Sequence, residues 1–254
     1  MGIAMLLPPS LGTLRATARA DLLADWLRER LRMPVEVRVA SSYETLAAAI
    51  SAAEVELAWA PPSICAQVEV HVPAIYTAVR DGQSTYCAAI VAKTGRFGSV
   101  AELRGKRAAW VERRSTGGYL LAAARLRAEG IDPDRDLVEQ RWCGSYGDAL
   151  RAVLTDRADF ASVFVPAPKA AAVLRPMHDL VGSGADDLAP VAFTARAPSD
   201  GLVVTRRAMA LDNESAVGWL MPLIDGRETG SYLLLLLEAE RLVRAGPHDY
   251  AALR

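Results

Sequence analysis

The sequence predicts an α/β protein of two lobes, each a mixed, mostly parallel sheet flanked by helices, joined by a hinge of two extended strands. Three observations carry this prediction. A β-α-β-α-β rhythm runs from Ile3 to Trp59, which places a parallel sheet under helices on both faces. The rhythm restarts after two extended segments, Pro73–Val79 and Tyr86–Ala92. No internal repeat or low-complexity linker separates the halves, so crossing strands fit better than two beads on a string. The expected boundaries are 1–88 plus 192–254 for the first lobe and 89–191 for the second.

Each element has a local reason. Ile3–Leu7 is a short apolar run closed by Pro8, Pro9 and Ser10. From Leu14 to Leu31 apolar residues recur at helical spacing, with Leu22, Leu23, Trp26, Leu27 and Leu31 expected on one face. Val35, Val37 and Val39 alternate with Glu36 and Arg38 as in a half-buried strand. Ser42 and Glu44 mark a helix start at Tyr43, and Glu56–Trp59 reads as a buried strand ended by Pro61 and Pro62. In the second lobe, Ala108–Val111 and Phe160–Val165 read as strands. Helices are expected from Tyr119 to Ala128, stopped by Gly130, and from Gly144 through Leu154. Leu202–Thr205 is a returning strand, followed by helices at Ala216–Ile224 and Tyr232–Ala245.

Composition excludes several classes. The chain has 254 residues, 52% hydrophobic and 23% charged, with a formal net charge of −1, which rules out disorder, collagen-like repeats and disulfide mini-proteins. Balanced charge supplies no general attraction for nucleic acid or an anionic membrane, so an anion site must be built locally. Cys65, Cys87 and Cys143 form no CxxC pair, and His71, His178 and His248 have no metal-type spacing. No cofactor, metal or catalytic constellation is therefore expected, and the chain is read as a non-enzyme. Asp132–Asp136 lacks the glycine and distal glutamate of a calcium loop and reads as a turn, while Glu238, Glu240 and Arg241 read as an exposed helix face. The first strand has no basic leader before it, and the run Tyr232–Leu237 is far below the ~20 residues that span a bilayer. The expected location is extracytoplasmic if a signal peptide has been removed and cytoplasmic if Met1 is the native start.

The most informative segment is Ser115-Thr116-Gly117-Gly118, placed between a strand and a helix. A helix N-terminus offers outward N–H donors and about half an elementary charge, so hydroxyls and glycines there can wrap an oxyanion closely. The loop is neither a Walker loop nor a dinucleotide turn, and plain helix capping competes with anion binding as its purpose. Arg113 and Arg114 precede it and are expected to be solvated.

Several stretches in fixed order resemble the substrate-binding proteins of phosphate, phosphite and phosphonate ABC transporters, within the wider group of type II periplasmic binding proteins. They are Leu7–Ser10, Ala40–Leu46, Val55–Ser63, Val79–Gly82 with Tyr86, Leu103–Arg107, Ser115–Tyr119, Gly130–Pro133, Gly144–Tyr146 and Arg157–Ala161. The resemblance implies the type II two-lobed fold with a ligand in the cleft. It also implies that Ser115 and Thr116 match the first two hydroxyls of the family's phosphoryl-binding loop, and that Tyr43 and Tyr86 match its two tyrosines. Gly117 takes the place of the third hydroxyl residue, with Gly118 beside it, and Tyr146 takes the place of a histidine. Tyr146 offers a flat amphipathic surface suited to a larger or less charged ligand. The segment from Phe160 to Pro168 carries no acid, which disfavours an aminophosphonate. Trp59, Ser63 and Ser10 are secondary candidates because they lie at strand ends, where open α/β sheets place ligands.

The expected function is thus a monomeric solute-binding protein that closes on a small anionic or polar ligand, for an ABC transporter permease or a sensor. It needs neither nucleic acid nor membrane insertion. Two alternatives share the scaffold: a cytosolic enzyme resembling those of menaquinone or thiamine-pyrimidine biosynthesis, and a stand-alone ligand sensor.

Overall fold

The computed structural model describes residues 2–10, 12–209 and 232–253. The expected helix at Ala216–Ile224 lies outside the described residues. The chain divides into two compact units, Met1–Pro9, Thr13–Thr85 and Pro198–Arg254 forming one and Ser10–Gly12 with Tyr86–Ala197 the other. Each has its own sheet.

In the first unit, β1 (Ile3–Leu7) lies between β2 (Val35–Val39) and β3 (Leu57–Ala60) and runs parallel to both, with Met5 opposite Val37 and Leu57. Strand β4 (Ala74–Val79) does not pair with β3 directly. A strand from much later in the chain, Gly201–Val204, inserts between them antiparallel to each, placing Leu202 opposite both Trp59 and Tyr76. Arg241–Arg244 closes the outer edge against β4. Buried Glu56 explains how β1 is held before its pairing with β3 begins. One carboxylate oxygen accepts from the Ala4 N–H at 2.6 Å and the other from Arg207 Nε at 2.6 Å.

Helix α1 (Thr13–Leu31) covers this sheet with Leu23 and Leu27, each buried side chain contributing about 1.5–3 kcal/mol. Leu22 departs from the expected face and is 49% exposed. Ala16, Ala20 and Ala24 are buried and share the side of Leu23 and Leu27, so the alanines centre the stripe away from Leu22. Helix α2 (Tyr43–Ser51) opens on a reciprocal cap, in which Ser42 Oγ accepts from Thr45 N–H and Thr45 Oγ1 from Ser42 N–H. Helix α3 (Pro62–Val68) follows β3 with Pro62 at its first position, where a missing N–H costs nothing.

The C-terminal segment differs from its expected helix. Tyr232–Leu236 is helical, but Glu238 takes φ +52°, the chain turns, and Arg241–Arg244 becomes the edge strand. Glu240 is therefore not on a helix face. Its carboxylate accepts from the Asp81 and Gly82 N–H groups and ties the edge strand to the turn after β4.

In the second unit, β5 (Thr85–Lys93) pairs antiparallel with β8 (Phe160–Val165), and β6 (Arg107–Trp110) lies parallel to both β8 and β7 (Glu139–Trp142). Strand β9 (Leu188–Phe193) returns along β5, with a bulge between Ile90 and Val91. Trp110 centres the core, edge-on to Tyr119 at 5.4 Å and Phe160 at 5.5 Å. Asp159 locks the start of β8 to the start of β6. Its carboxylate accepts from Arg107 N–H at 2.8 Å, from the Arg107 guanidinium, and from Arg96 at 2.6 Å. Both sheets are mixed and flanked by helices; the β-α-β rhythm places the parallel pairs, β1 with β2 and β3 and β6 with β7 and β8, while the returning strands add antiparallel pairs that make neither sheet mostly parallel.

Candidate functional site

The loop after β6 is built by backbone bonds that leave little choice of residue. Ser115 is the N-cap of a wide turn, Thr116–Leu120, which runs into α4 (Leu121–Ala128). Its carbonyl accepts from both Tyr119 and Leu120 N–H at 3.0 Å, and its Oγ accepts from Gly118 N–H at 3.1 Å. The capping role weighed from the sequence is thus occupied by the Ser115 hydroxyl. Gly118 is required by packing: a Cβ there would stand 2.4 Å from Val111 Cγ2 and 2.7 Å from Ser115 Oγ. Ser115 and Thr116 are both buried. Arg113 and Arg114 are exposed, with the Arg113 guanidinium stacked 4.7 Å over the Trp142 ring.

The sequence-predicted residues fall into two groups. Within the second unit, Tyr86 at the start of β5 and Tyr146 at the start of α5 (Tyr146–Leu154) converge on Gly117. A Cβ on Gly117 would lie 2.9 Å from the Tyr146 hydroxyl, 3.2 Å from Tyr86 Cε2 and 3.4 Å from Phe164 Cβ. Ser10 joins them through its backbone, its carbonyl accepting from Tyr146 N–H at 3.2 Å. Ser145 caps α5 and donates to Asp148 at 2.6 Å, which, with Arg151, holds that carboxyl below its ordinary range.

The remaining predicted residues belong to the first unit. Tyr43 is buried at the start of α2, and Trp59 sits within that unit's apolar core with the Arg80 guanidinium 5.9 Å from its ring. Ser63 is half-buried on α3, beside a shallow depression shared with Ala66, Gln67, Val70 and Leu253.

Two residues around the loop were not singled out from the sequence. Ser162 donates its buried hydroxyl to the Gly117 carbonyl at 2.6 Å, and Phe164 packs edge-on against Tyr146 at 5.2 Å. Both lie on β8 two residues apart, so strand alternation aims them at the same face. Parity along the strand groups them with Phe160, which packs edge-on to Trp110, but the sequence of the run does not show which of its faces meets the loop.

No other cluster competes chemically. Among the described residues no group of His, Cys, Asp and Glu could hold a metal. Burial pushes the Cys65, Cys87 and Cys143 thiols up, away from the reactive thiolate. The His178 ring pairs with Asp186 on the outside of the second unit. No described helix is long and apolar enough to cross a membrane.

The family described as the periplasmic substrate-binding protein of phosphonate ABC transporters matches residues 6–250. No curated protein sequence matches the chain. Among solved structures, PhnD1 from Prochlorococcus marinus, in complex with methylphosphonate, shares 15% identity and a TM-score of 0.82, over 99% of this chain and 95% of its own. A binding-protein component of an ABC phosphonate transporter from Pseudomonas aeruginosa shares 14% identity and a TM-score of 0.81, over 98% of this chain and 83% of its own. The periplasmic aliphatic sulphonate binding protein SsuA from Escherichia coli shares 11% identity and a TM-score of 0.57, over 99% of this chain and 83% of its own. At these identities the structural likeness speaks for the fold.

Proposed function

The chain belongs to the family of periplasmic substrate-binding proteins of phosphonate ABC transporters, and from that premise we propose that its ligand is a small phosphate- or phosphonate-like oxyanion received by the Ser115–Gly118 turn. Solute binding without catalysis is the family's role. The observation that supports the ligand class is the turn itself: hydroxyl, hydroxyl, glycine and glycine open a helix, and packing excludes a side chain at Gly118. Such a helix start favours a bound oxyanion through its dipole, without a cationic side chain. Tyr86 and Tyr146 flank it, while Tyr43, with Trp59, Ser63 and Ser10 as secondary contacts, completes the proposed set.

On this reading the two units act as lobes. Contacts from both to one ligand give the closed form its higher affinity, which is the only way a ligand can shift an open-closed equilibrium. The closed monomer is then presented to a permease, and an export signal on the native precursor places it outside the cytoplasm. Isothermal titration with phosphate, phosphite, methylphosphonate and methanesulfonate tests the proposal. Saturable heat with at least one oxyanion is expected, and silence from all four overturns it.

A further inference from the structure

Strand β7 is the outermost strand on its side of the second sheet. Among the described residues it pairs with β6 alone, so its other edge carries main-chain N–H and C=O groups that no described strand meets. The ladder identifies these groups. The Cys143 N–H donates inward to the Trp110 carbonyl at 2.8 Å. Arg141 and Glu139, in step with it, bond β6 as well, and Gln140 and Trp142 turn their N–H and C=O groups to the open edge. The Val138 N–H is occupied, donating to the Lys106 carbonyl at 3.1 Å. Exposed edges are commonly blunted by lysine or proline. Neither interrupts Val138–Trp142, and two large apolar side chains stand exposed there, Val138 at 74% and Trp142 at 36%.

We infer that the outer edge of β7 is an interaction surface for a second copy of this chain, which it meets antiparallel, with the two-fold axis at Gln140. The run Val138-Glu139-Gln140-Arg141-Trp142 is its own complement in that register. The two Gln140 residues exchange both main-chain bonds, and each Trp142 N–H meets the Val138 carbonyl opposite, so the occupied Val138 N–H is not needed. Glu139 faces Arg141 twice, at the positions of closest approach, and Val138 faces Trp142 as a β-branched residue against an aromatic one. Charge also fixes the register. Centring the pair one residue either way sets Glu139 against Glu139 or Arg141 against Arg141, and an in-register parallel pair does both. Within the chain the Arg141 Nη2 donates to Glu139 at 2.7 Å, while its Nε, shielded from water, has no hydrogen-bond partner among the described residues. A second carboxylate is what the facing Glu139 brings to this guanidinium. Five residues of strand cover less than the about 1,200 Å² of a lasting interface, so the pair forms and parts with concentration. The monomer assigned to transport is its dissociated form, and the inference does not depend on which ligand is bound.

Sedimentation equilibrium of the full chain from about 10 μM to about 1 mM, the range of weak association, tests this. The mass is expected to rise from one chain toward two. Glu139→Arg and Arg141→Glu each set like charges opposite one another and should each raise the dissociation constant about tenfold or more. An equimolar mixture of the two variants should associate at least as tightly as the unaltered chain, because one brings two cations and the other two anions to the same register. Both changes in one chain exchange the signs and should restore self-pairing. Circular dichroism checks that each variant is folded. If either charge reversal fails to fold, Glu139→Gln and Arg141→Gln take its place and should weaken association by a smaller factor. A single-chain mass across the whole range, association unchanged by the single variants, or a mixture that stays monomeric overturns the inference.

Discussion

Ser162 and Gly117 are joined by a buried hydrogen bond of 2.6 Å that runs from the middle of a strand to the carbonyl of a loop glycine. It is the link that makes the loop part of the sheet. Replacing Ser162 by Ala leaves the Gly117 carbonyl buried without this donor, a loss of about 1–3 kcal/mol. The melting temperature of Ser162→Ala should fall accordingly. Affinity for the bound oxyanion should fall with it, because the glycine backbone is no longer held in place. Equal melting temperatures for the two proteins would show that the loop is fixed by other contacts.

Gly118 makes a stricter demand. A methyl group there meets Val111 Cγ2 at 2.4 Å and Val111 Cβ at 2.7 Å, and neither can retreat because Val111 is buried beneath the turn. Gly118→Ala is expected to destabilise the second unit by about 1–3 kcal/mol, the usual cost of forcing atoms into a filled core. Gly118→Ala combined with Val111→Ala should recover part of that loss. Recovery is measured by urea unfolding, and its absence would mean that the turn rather than the contact sets the cost.

How much of this was legible in the sequence follows from the reach of each signal. The strand and helix order is readable because period-two and period-3.6 patterns, caps such as Ser42 and stops such as Gly130 act within a few residues. The Ser115–Gly118 turn is readable for the same reason. Phe164 and Ser162 are not, because the run Phe160–Val165 is apolar on both faces and hides which face meets the loop. The C-terminal segment misleads for a different cause. Tyr232–Leu237 looks like the start of a long helix, yet the open edge of β4 offers hydrogen bonds to Arg241–Arg244 that a solvent-exposed helix would not gain. Edge pairing of this kind depends on residues some 160 positions away and leaves no local mark.

Acid should weaken the fold through Asp159. Hydrogen bonds from the Arg107 side chain, then from the Arg107 backbone, with Arg96 adding its charge, hold this buried carboxyl below its ordinary value of 3.8. A carboxyl depressed in the folded state contributes stability that is fully present above the unfolded value and is lost as pH falls through the folded one. The midpoint of urea unfolding should therefore be insensitive to this group at pH 5 and above, in keeping with an unfolded value of about 3.9, and should drop below it. Asp159→Asn removes the charge and should cost about 1.5–3 kcal/mol at neutral pH. Its acid limb should be flatter than that of the unaltered protein. Parallel acid limbs would place the acid sensitivity at other depressed carboxyls, Asp136, Asp148 or Asp156.

Ser115 and Thr116 are adjacent, buried hydroxyls at the head of one helical turn, and substitution separates their duties. Ser115 Oγ accepts from Gly118 N–H, so Ser115→Ala loses a cap worth about 1 kcal/mol as well as any ligand contact. Its melting temperature and its oxyanion affinity should both fall. Thr116 follows the N-cap as the first residue inside the turn, and Thr116→Ala should weaken oxyanion binding about tenfold while leaving the Ser115 cap in place. Calorimetric titration beside thermal unfolding distinguishes the two patterns. If both variants bind as tightly as the unaltered chain, the oxyanion is held away from this turn, and the hydroxyls serve the helix start alone.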